Sequence, residues 1–269
     1  EKFRPDVFII ANPTTDHLAA ADLAADYKCH IFMEKPIAGC LTGISSLKKK
    51  ILKNKLLFFL ANNFRFHPAL IKIKNMIETN RLGNIYFARI MVGQYLPDWH
   101  PYGKYSSSYS ARSNQGGGAV LTLQHEIDYA FWLFGKFKKI KAITKKASGL
   151  KIDVEDIAAI LIETESGVLL EIHLDYLQRP AKRTLHIQGS KGSVYYDFIS
   201  NNSLKFYDFK KQVEKEVLDL ENYNANNMYI EELKHFISCI KNNRETHSPM
   251  HDAVYVLKQC LRIKKGIVL

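Results

Sequence analysis

The chain has 269 residues, of which 46% are hydrophobic and 12% aromatic, so it can bury a sizeable core and is not a disordered segment. Its formal charge is +11, but the lysine clusters are scattered over the whole chain, which favours a solvated basic surface over a nucleic-acid partner. Because the chain lacks a run of about 18 apolar residues, we expect no membrane-spanning helix and no membrane partner.

The first third of the chain alternates short apolar runs with helical patterns. The apolar runs at 6–11, 29–33 and 56–60 predict buried strands, and helical patterns follow them near 17–25, 41–54 and 68–80. In the last of these helices, the residues expected to face the core are Leu70, Ile71, Ile73 and Met76. This alternation predicts parallel β-α units, whose ligands bind beyond the carboxyl ends of the strands. We therefore expect residues 1–66 to form a partial dinucleotide-binding, Rossmann-like domain.

After Gly83 the pattern changes to consecutive strands joined by short turns. Strands are predicted at 85–95, 138–147, 156–163, 168–176, 184–188, 193–197 and 204–207. One helix, ending at Phe134, interrupts them after the three glycines at 116–118, and two helices near 226–242 and 250–265 close the chain. The predicted fold class is thus α/β plus α+β. Residues 67–269 would form a mostly antiparallel substrate-binding and oligomerisation domain, with the final helices able to pack back on the first domain.

Polar residues follow each strand of the first region. A lysine held by proline at a strand end can hydrogen-bond a reacting hydroxyl, although Lys35 can equally be a surface lysine before a loop. Asn63 can bond a cofactor amide or ribose, or it can be a turn residue that bonds its own backbone. The strand-end residues are Asn12, Pro13, Glu34, Lys35, Pro36 and Asn63.

The helix after the three glycines carries a polar stripe on an otherwise apolar surface. Thr122, His125 and Tyr129 are spaced so that they share one face of a continuous helix. A histidine there can take a hydroxyl proton as hydride leaves the same carbon, or it can be a core residue bonded to a backbone carbonyl. His125 is therefore a candidate general base.

The segment from 95 to 112 predicts a long aromatic and polar loop. Aromatic faces and hydroxyls suit a sugar ring, and an arginine suits a carboxylate or phosphate. A packed loop without a ligand is the alternative. The candidate substrate-binding residues are Trp99, His100, Tyr109, Arg112 and, on the following helix, Gln124.

Four scattered cysteines, without zinc-ligand spacing, predict reduced thiols, a cytoplasmic location and no metal site.

Together these segments resemble the Gfo/Idh/MocA oxidoreductases, the glucose-fructose oxidoreductase and inositol dehydrogenase group. The resemblance rests on Glu34-Lys35-Pro36 downstream of Asn12-Pro13 and His17, on Asn63-x-Arg65-Phe66, and on the glycines leading to His125-x-Ile127-Asp128. It implies that Lys35 orients the substrate hydroxyl and assists proton transfer, that His125 is the general base, and that NAD or NADP is the cofactor. The implied cofactor-binding residues are Asn12, Pro13, His17, Glu34, Lys35, Pro36 and Asn63.

Two features depart from the pattern of that family. No Gly-x-Gly-x-x-Gly turn occurs in the sequence, so we expect the chain to enter the Rossmann domain partway through. An aspartate that often precedes the family's histidine is replaced near that place by Thr122, which can exchange hydrogen bonds but cannot act as a carboxylate base. Thr122 is therefore a third catalytic candidate beside Lys35 and His125.

The leading hypothesis is an NAD(P)-dependent oxidoreductase that moves hydride to or from a hydroxyl carbon of a sugar, sugar acid or nucleotide sugar. The alternatives are a sugar-binding relative without dinucleotide binding, motivated by the missing glycine turn, and a relative that cleaves glycosides with the help of NAD. The resemblance also implies a homodimer or homotetramer that forms through the second sheet.

Overall fold

The computed structural model describes residues 4–99, 103–199 and 203–266, which build two sheets flanked by helices. The first sheet is parallel, in the order β1-β2-β3, with strands β1 (Val7–Ile10), β2 (His30–Glu34) and β3 (Phe58–Ala61). Its crossover helices are α1 (His17–Asp26) and α2 (Ile44–Lys53), and α3 (Pro68–Glu78) follows β3. Because the strands are parallel, their carboxyl ends lie at one edge of the sheet.

The second sheet has eight strands in the order β11-β10-β9-β8-β4-β7-β6-β5. Only the β4–β7 pair is parallel among its ladders. Its strands are β4 (Ile85–Gly93), β5 (Phe137–Lys145), β6 (Ile157–Thr164), β7 (Leu169–Asp175), β8 (Lys182–Gly189), β9 (Gly192–Asp197), β10 (Ser203–Asp208) and β11 (Val213–Asp219). The predicted fold class is confirmed by this architecture.

Alternation along the strands of the second sheet gives it one buried and one open face. On β4, Ala88, Ile90 and Val92 are buried, and they alternate with residues that remain accessible to solvent. Helix α5 (His125–Phe134) covers the buried face and contacts β4 and β7, and it buries Ile127 and Ala130 there. This helix therefore places its own first residue, His125, between the two sheets.

The last two helices, α6 (Asn226–Lys241) and α7 (Met250–Lys264), return to the first sheet. Phe236 of α6 packs edge-on against Phe32 of β2, with ring centroids 5.6 Å apart. The segment between the helices runs beside β3, where the Leu60 amide donates to the Ser248 carbonyl at 3.0 Å. The C-terminal segments thus pack against the first sheet. The domain boundary between residues 66 and 67 stays a prediction.

Three details of the sequence analysis were wrong. The single helix predicted before Phe134 is two helices, α4 (Ala119–Thr122) and α5, separated by a turn at Leu123 and Gln124. Strand β11 was not predicted, and Ile71, which was expected to face the core, is 49% exposed. Within the described ranges, no helix is both long enough and apolar enough to cross a bilayer.

The three glycines before α4 let the chain approach itself. A Cβ on Gly117 would collide with backbone carbonyl oxygens of the preceding loop, among them that of Tyr109, and one on Gly118 would collide with the carboxylate of Glu155. Gly116 and Gly118 also have positive φ angles of 78° and 109°, which favour glycine. Gly117 and Gly118 thus make room for neighbouring segments of the protein.

Candidate functional site between the two sheets

Lys35 follows β2 directly and reaches across to the helix pair of the second region. Its side chain is partly buried, and its Nζ donates a hydrogen bond to the backbone carbonyl of Thr122 at 2.7 Å. An ammonium has three N–H groups, so the described contact leaves donors for a ligand. Lys35 is thereby fixed at the junction of the two sheets.

His17 ties together the carboxyl ends of β1 and β2. The side chain is 1% exposed, with Nδ1 lying 2.7 Å from the Pro36 carbonyl oxygen and Nε2 lying 2.9 Å from that of Asn12. Both oxygens only accept, so the two contacts are hydrogen bonds at the same time when both ring nitrogens carry protons. The sequence could not have shown this bridge between two strand ends.

A cavity of about 150 Å³ opens beside Lys35 and His17. It collects five of the predicted cofactor-binding residues, together with one residue that was predicted to bind substrate, Tyr109. The lining residues are Ala11, Asn12, Pro13, Thr14, His17, Glu34, Lys35 and Tyr109. Pro36 is buried beneath it, and Asn63 lies at a second cavity instead.

His125, the first residue of α5, lies between two cations. Its pKa is lowered well below the usual value by burial and then by the positive charges of Lys35 and Arg183. Its Nδ1 is buried and has no hydrogen-bond partner among the described residues, and its ring centroid lies 5.1 Å from that of Phe64. The imidazole is therefore neutral at pH 7 and able to accept a proton. The structure thus brings Lys35 and His125 together.

A larger cavity of about 380 Å³ lies on the other side of Asn63 and Phe64. Its walls include aromatic residues from β9 and from the segments after it, among them Tyr196, Phe198 and Tyr223. Two cations at the start of β8, Lys182 and Arg183, also line it.

Arg183 belongs to the centre of the site, although the sequence analysis did not identify it. Its Nε lies 2.8 Å from Glu126 Oε1, and its guanidinium stacks on the Phe64 ring at 4.4 Å. Glu126 is fully buried, and burial raises the pKa of its carboxyl despite the opposing charge of Arg183. The adjacent His67 has its pKa lowered to about 4 by burial and by Arg183. Arg183 and Glu126 are 57 residues apart in the chain, so no local sequence pattern could have predicted that they pair.

The residues predicted to bind substrate are dispersed. Tyr109 lines the smaller cavity, whereas Trp99 is partly buried edge-on against Tyr176, with ring centroids 5.4 Å apart. Gln124 is 1% exposed, and its Nε2 has no hydrogen-bond partner among the described residues. Arg112 is exposed, lines neither cavity, and donates from Nε to the Ser106 carbonyl at 3.3 Å. Their roles stay predictions.

His100 lies outside the described residues. Thr122, the third catalytic candidate, is 4% exposed, and the atom that meets Lys35 is its backbone carbonyl oxygen rather than its hydroxyl. The break between α4 and α5 separates Thr122 from the helix that carries His125 and Tyr129, so the predicted polar stripe is not formed by one helix.

A carboxyl pair lies behind the smaller cavity and was also missed from the sequence. Glu232 of α6 is 2% exposed, and its Oε2 has no hydrogen-bond partner in the described part of the chain. Burial, followed by the charge of Glu34, raises the pKa of Glu232 to about 8. Burial also raises the pKa of Glu34, against the charge of Lys35. Glu232 is therefore largely protonated at neutral pH.

Arg65, in the turn after β3, is paired with carboxylates from two helices. It is 2% exposed and holds Asp128 of α5 in a two-point ion pair, with Nε–Oδ2 and Nη2–Oδ1 distances of 2.9 and 2.7 Å. Its Nη1 donates to Asp252 of α7 at 2.8 Å and to the His247 carbonyl. It joins β3 to both helices. Among the described residues, no cluster of three His, Cys, Asp or Glu side chains is placed to hold a metal ion.

The cleft lies between a three-stranded parallel sheet and a large, mostly antiparallel second sheet. Residues 70–195 match the model of the GFO/IDH/MocA C-terminal domain. This stretch is therefore similar to the C-terminal domain of the Gfo/Idh/MocA oxidoreductases, the family that the motifs of the sequence also resemble.

Two relatives illustrate the similarity in sequence. Levoglucosan dehydrogenase of Pseudarthrobacter phenanthrenivorans is 25% identical over 229 residues, which cover 75% of this chain and 58% of that protein. Myo-inositol 2-dehydrogenase of Thermotoga maritima is 24% identical over 98% of this chain and 80% of that protein. The chain thus spans little more than half the length of the first relative.

The similarity in structure is broader. A levoglucosan dehydrogenase in complex with NADH and levoglucosan superposes with a TM-score of 0.87, at 20% identity, over 97% of this chain and 77% of that chain. At this identity the match establishes the shared fold.

Proposed function

We propose that this protein is an NAD(P)-dependent oxidoreductase that transfers hydride to or from a hydroxyl carbon of a sugar. The observation that carries the proposal is the fixed ammonium of Lys35, whose charge acts on the neutral imidazole of His125 at the junction of the two sheets. The named relatives are dehydrogenases of levoglucosan and myo-inositol, which supports a sugar or cyclitol as the substrate.

The smaller cavity suits the nicotinamide end of NAD or NADP. Its walls combine exposed backbone at Asn12 and Pro13 with the polar side chains of His17 and Glu34, and Lys35 stands at its edge. Beyond it, Asn63 Oδ1 is buried and has no hydrogen-bond partner among the described residues, so it is available to an amide donor. When bound, the dinucleotide supplies the acceptor or donor of hydride.

The roles of the side chains follow from their protonation. The ammonium of Lys35 donates to the reacting oxygen and holds the carbinol carbon toward the smaller cavity. As the C–H bond breaks and hydride departs with both electrons, the hydroxyl proton passes to the neutral His125 and a carbonyl group forms. In the reverse direction His125 returns that proton.

The test is the change in nicotinamide absorbance when the purified chain is mixed with NAD+ or NADP+ and a panel of sugars and cyclitols. Turnover that disappears in both Lys35→Met and His125→Asn is the expected result. Turnover that survives both substitutions, or no turnover and no dinucleotide binding by calorimetry, would overturn the proposal.

We also propose that the open face of the second sheet pairs with a copy of itself to form a homodimer or homotetramer. Large apolar side chains stand on its strands, with exposures of 73% for Ile143, 57% for Leu161 and 56% for Leu169. These side chains lie on the neighbouring strands β5, β6 and β7, and exposed apolar surface is commonly covered by a partner. Sedimentation of the wild type and of Leu161→Lys tests this: a wild-type monomer at micromolar concentration contradicts it.

We further propose a cytoplasmic location. All four cysteines are free thiols, three of them buried, which favours a reducing compartment. Fractionation of the native host tests this proposal, and recovery of the protein outside the cytoplasm would overturn it.

A further inference from the structure

The larger cavity has an unbalanced set of charges. Of the residues that line it, Lys182 and Arg183 are cationic, and none of those in the described part of the chain is a carboxylate. Arg183 is already neutralised by its ion pair with the buried Glu126. Lys182 is exposed and has no ion pair among the described residues. The net charge offered to a ligand is therefore positive and resides mainly on Lys182.

The hydrogen-bonding groups of this cavity are unbalanced in the same direction. The ammonium of Lys182 and the guanidinium of Arg183 only donate, while hydroxyls such as those of Tyr196 and Tyr223 donate as well as accept. The side-chain acceptors are few, with Asn63 and Gln94 as the amides. A neutral sugar brings donors and acceptors together, whereas a carboxylate or phosphate brings acceptors only. The lining thus complements a ligand with an excess of acceptors.

The size and walls of the cavity restrict the ligand further. Its volume of about 380 Å³ lies near the lower end of the range of small-molecule sites, which suits a monosaccharide. Phe198 supplies an apolar surface for a pyranose ring. Lys182 lies opposite Gly93 in the β4–β8 ladder, and the next residue, Arg183, influences His125.

We propose that the substrate is a monosaccharide that carries an anionic group, and that this group pairs with Lys182 in the larger cavity. This inference rests on the proposed function and narrows it to anionic sugars. Arg112, which the sequence analysis assigned to such a group, is exposed and away from the cavity. We assign the binding of the anionic group to Lys182 instead of Arg112.

The experiment compares matched ligands that differ only at the terminal carbon. Binding of D-glucuronate, D-galacturonate and D-mannuronate to the full chain is measured by NMR titration against D-glucose, D-galactose and D-mannose, and the 6-phosphates form a third set. We expect at least one anion to bind about tenfold or more tightly than its neutral counterpart, as for a charge-assisted hydrogen bond. The ranking of carboxylate against phosphate identifies the anionic group.

Two variants distinguish a specific contact with Lys182 from a general effect of the positive charge of the protein. Lys182→Met should lower the affinity for the preferred anion about tenfold and leave the neutral sugar unaffected. Lys49→Met, which removes an exposed lysine on α2, should change neither. The inference is overturned if no anion binds more tightly than its neutral counterpart, or if Lys182→Met retains the preference.

The outcome is distinguishable from that of the proposed function. Dinucleotide-linked turnover of neutral sugars without any preference for anions would leave the oxidoreductase intact and remove the inference. A preference for anions that depends on Lys182, without dinucleotide-linked turnover of any sugar, would retain the anion site and overturn the oxidoreductase.

Discussion

Two polar clusters lie side by side in this protein, and both are built from the turn after β3 and from α5. In one, Arg65 and Asp128 are buried, and each nitrogen of the guanidinium and each oxygen of the carboxylate has a partner. In the other, Asn63 Oδ1 and His125 Nδ1 are buried and have no hydrogen-bond partner among the described residues. The same two elements thus carry a saturated cluster and an unsaturated one.

The difference separates residues that hold the fold from residues that wait for a ligand. A buried polar atom without a partner costs stability, about 1–3 kcal/mol, so it persists where a bound molecule can satisfy it. A saturated ion pair gives a ligand nothing to bind. We therefore expect substitutions in the unsaturated cluster to change activity and substitutions in the saturated cluster to change stability.

The largest effect is expected for His125→Asn. Loss of the group that exchanges the hydroxyl proton should lower kcat/KM by about a hundredfold to ten-thousandfold, with little change in Tm. Steady-state kinetics and thermal unfolding measure the two quantities. His251→Asn, at an exposed position on α7, is the matched control. If His125→Asn also lowered Tm markedly, the loss of activity would follow from lost stability, and His125 would be a structural residue.

The pH profile sharpens the same assignment. Burial and two nearby cations lower the pKa of His125. The midpoint of the acidic limb of the kcat/KM profile should therefore lie at a pH below the ordinary histidine pKa of about 6.5. Activity should thus be retained as the pH falls through that value. An acidic limb centred above it would contradict His125 as the base.

Asp128→Asn is expected to act on stability instead. It leaves the buried guanidinium of Arg65 without its two-point partner, which should cost about 3–5 kcal/mol in the free energy of unfolding. Urea denaturation measures the loss. Asp98→Asn breaks an exposed ion pair with Arg179 and should cost less than about 1 kcal/mol. Equal losses for the two variants would show that burial does not distinguish these pairs.

Glu232→Gln should stabilise the protein by an amount that depends on pH. The folded pKa of about 8 exceeds the ordinary value, so the folded state retains a proton that the unfolded chain releases. Wild-type stability therefore falls as the pH rises from about 4.5 toward 8, and the amide removes that fall. Tm measured across this range should separate the two proteins progressively. A constant difference would contradict the raised pKa.

The smallest effect is expected for Thr122→Val. The substitution removes the hydroxyl but retains the backbone carbonyl that accepts from Lys35, so kcat/KM should change by less than about threefold. Thr122→Ser is the control, because it keeps the hydroxyl. A large loss in Thr122→Val that Thr122→Ser does not share would make the hydroxyl a catalytic group.

The strands and the residues at their ends could be predicted because they depend on local sequence patterns. Strand ends marked by Asn12, Lys35 and Asn63 converge because parallel strands share an edge. Strand β11 was missed because its residues are mostly exposed and lack an apolar alternation. As an edge strand it buries little.

The rest depends on contacts between distant segments. The break between α4 and α5 lies where the Thr122 carbonyl accepts from Lys35, 87 residues away. Arg183 and Glu232 enter the site from a strand and a helix that look ordinary by themselves. Periodicity within a segment reveals which face is buried, but it does not reveal which charge from elsewhere meets that face.

The return of the chain to β3 has a consequence for synthesis on the ribosome. Thr246 donates to the carbonyl of Phe58, a residue 188 positions earlier. At about 5–20 residues per second, β3 waits on the order of 10–40 s for that partner to be translated. The nascent first sheet therefore spends this interval with Phe32 and Phe59 uncovered by α6. Nascent chains stalled before residue 226 should accordingly be the most dependent on chaperones.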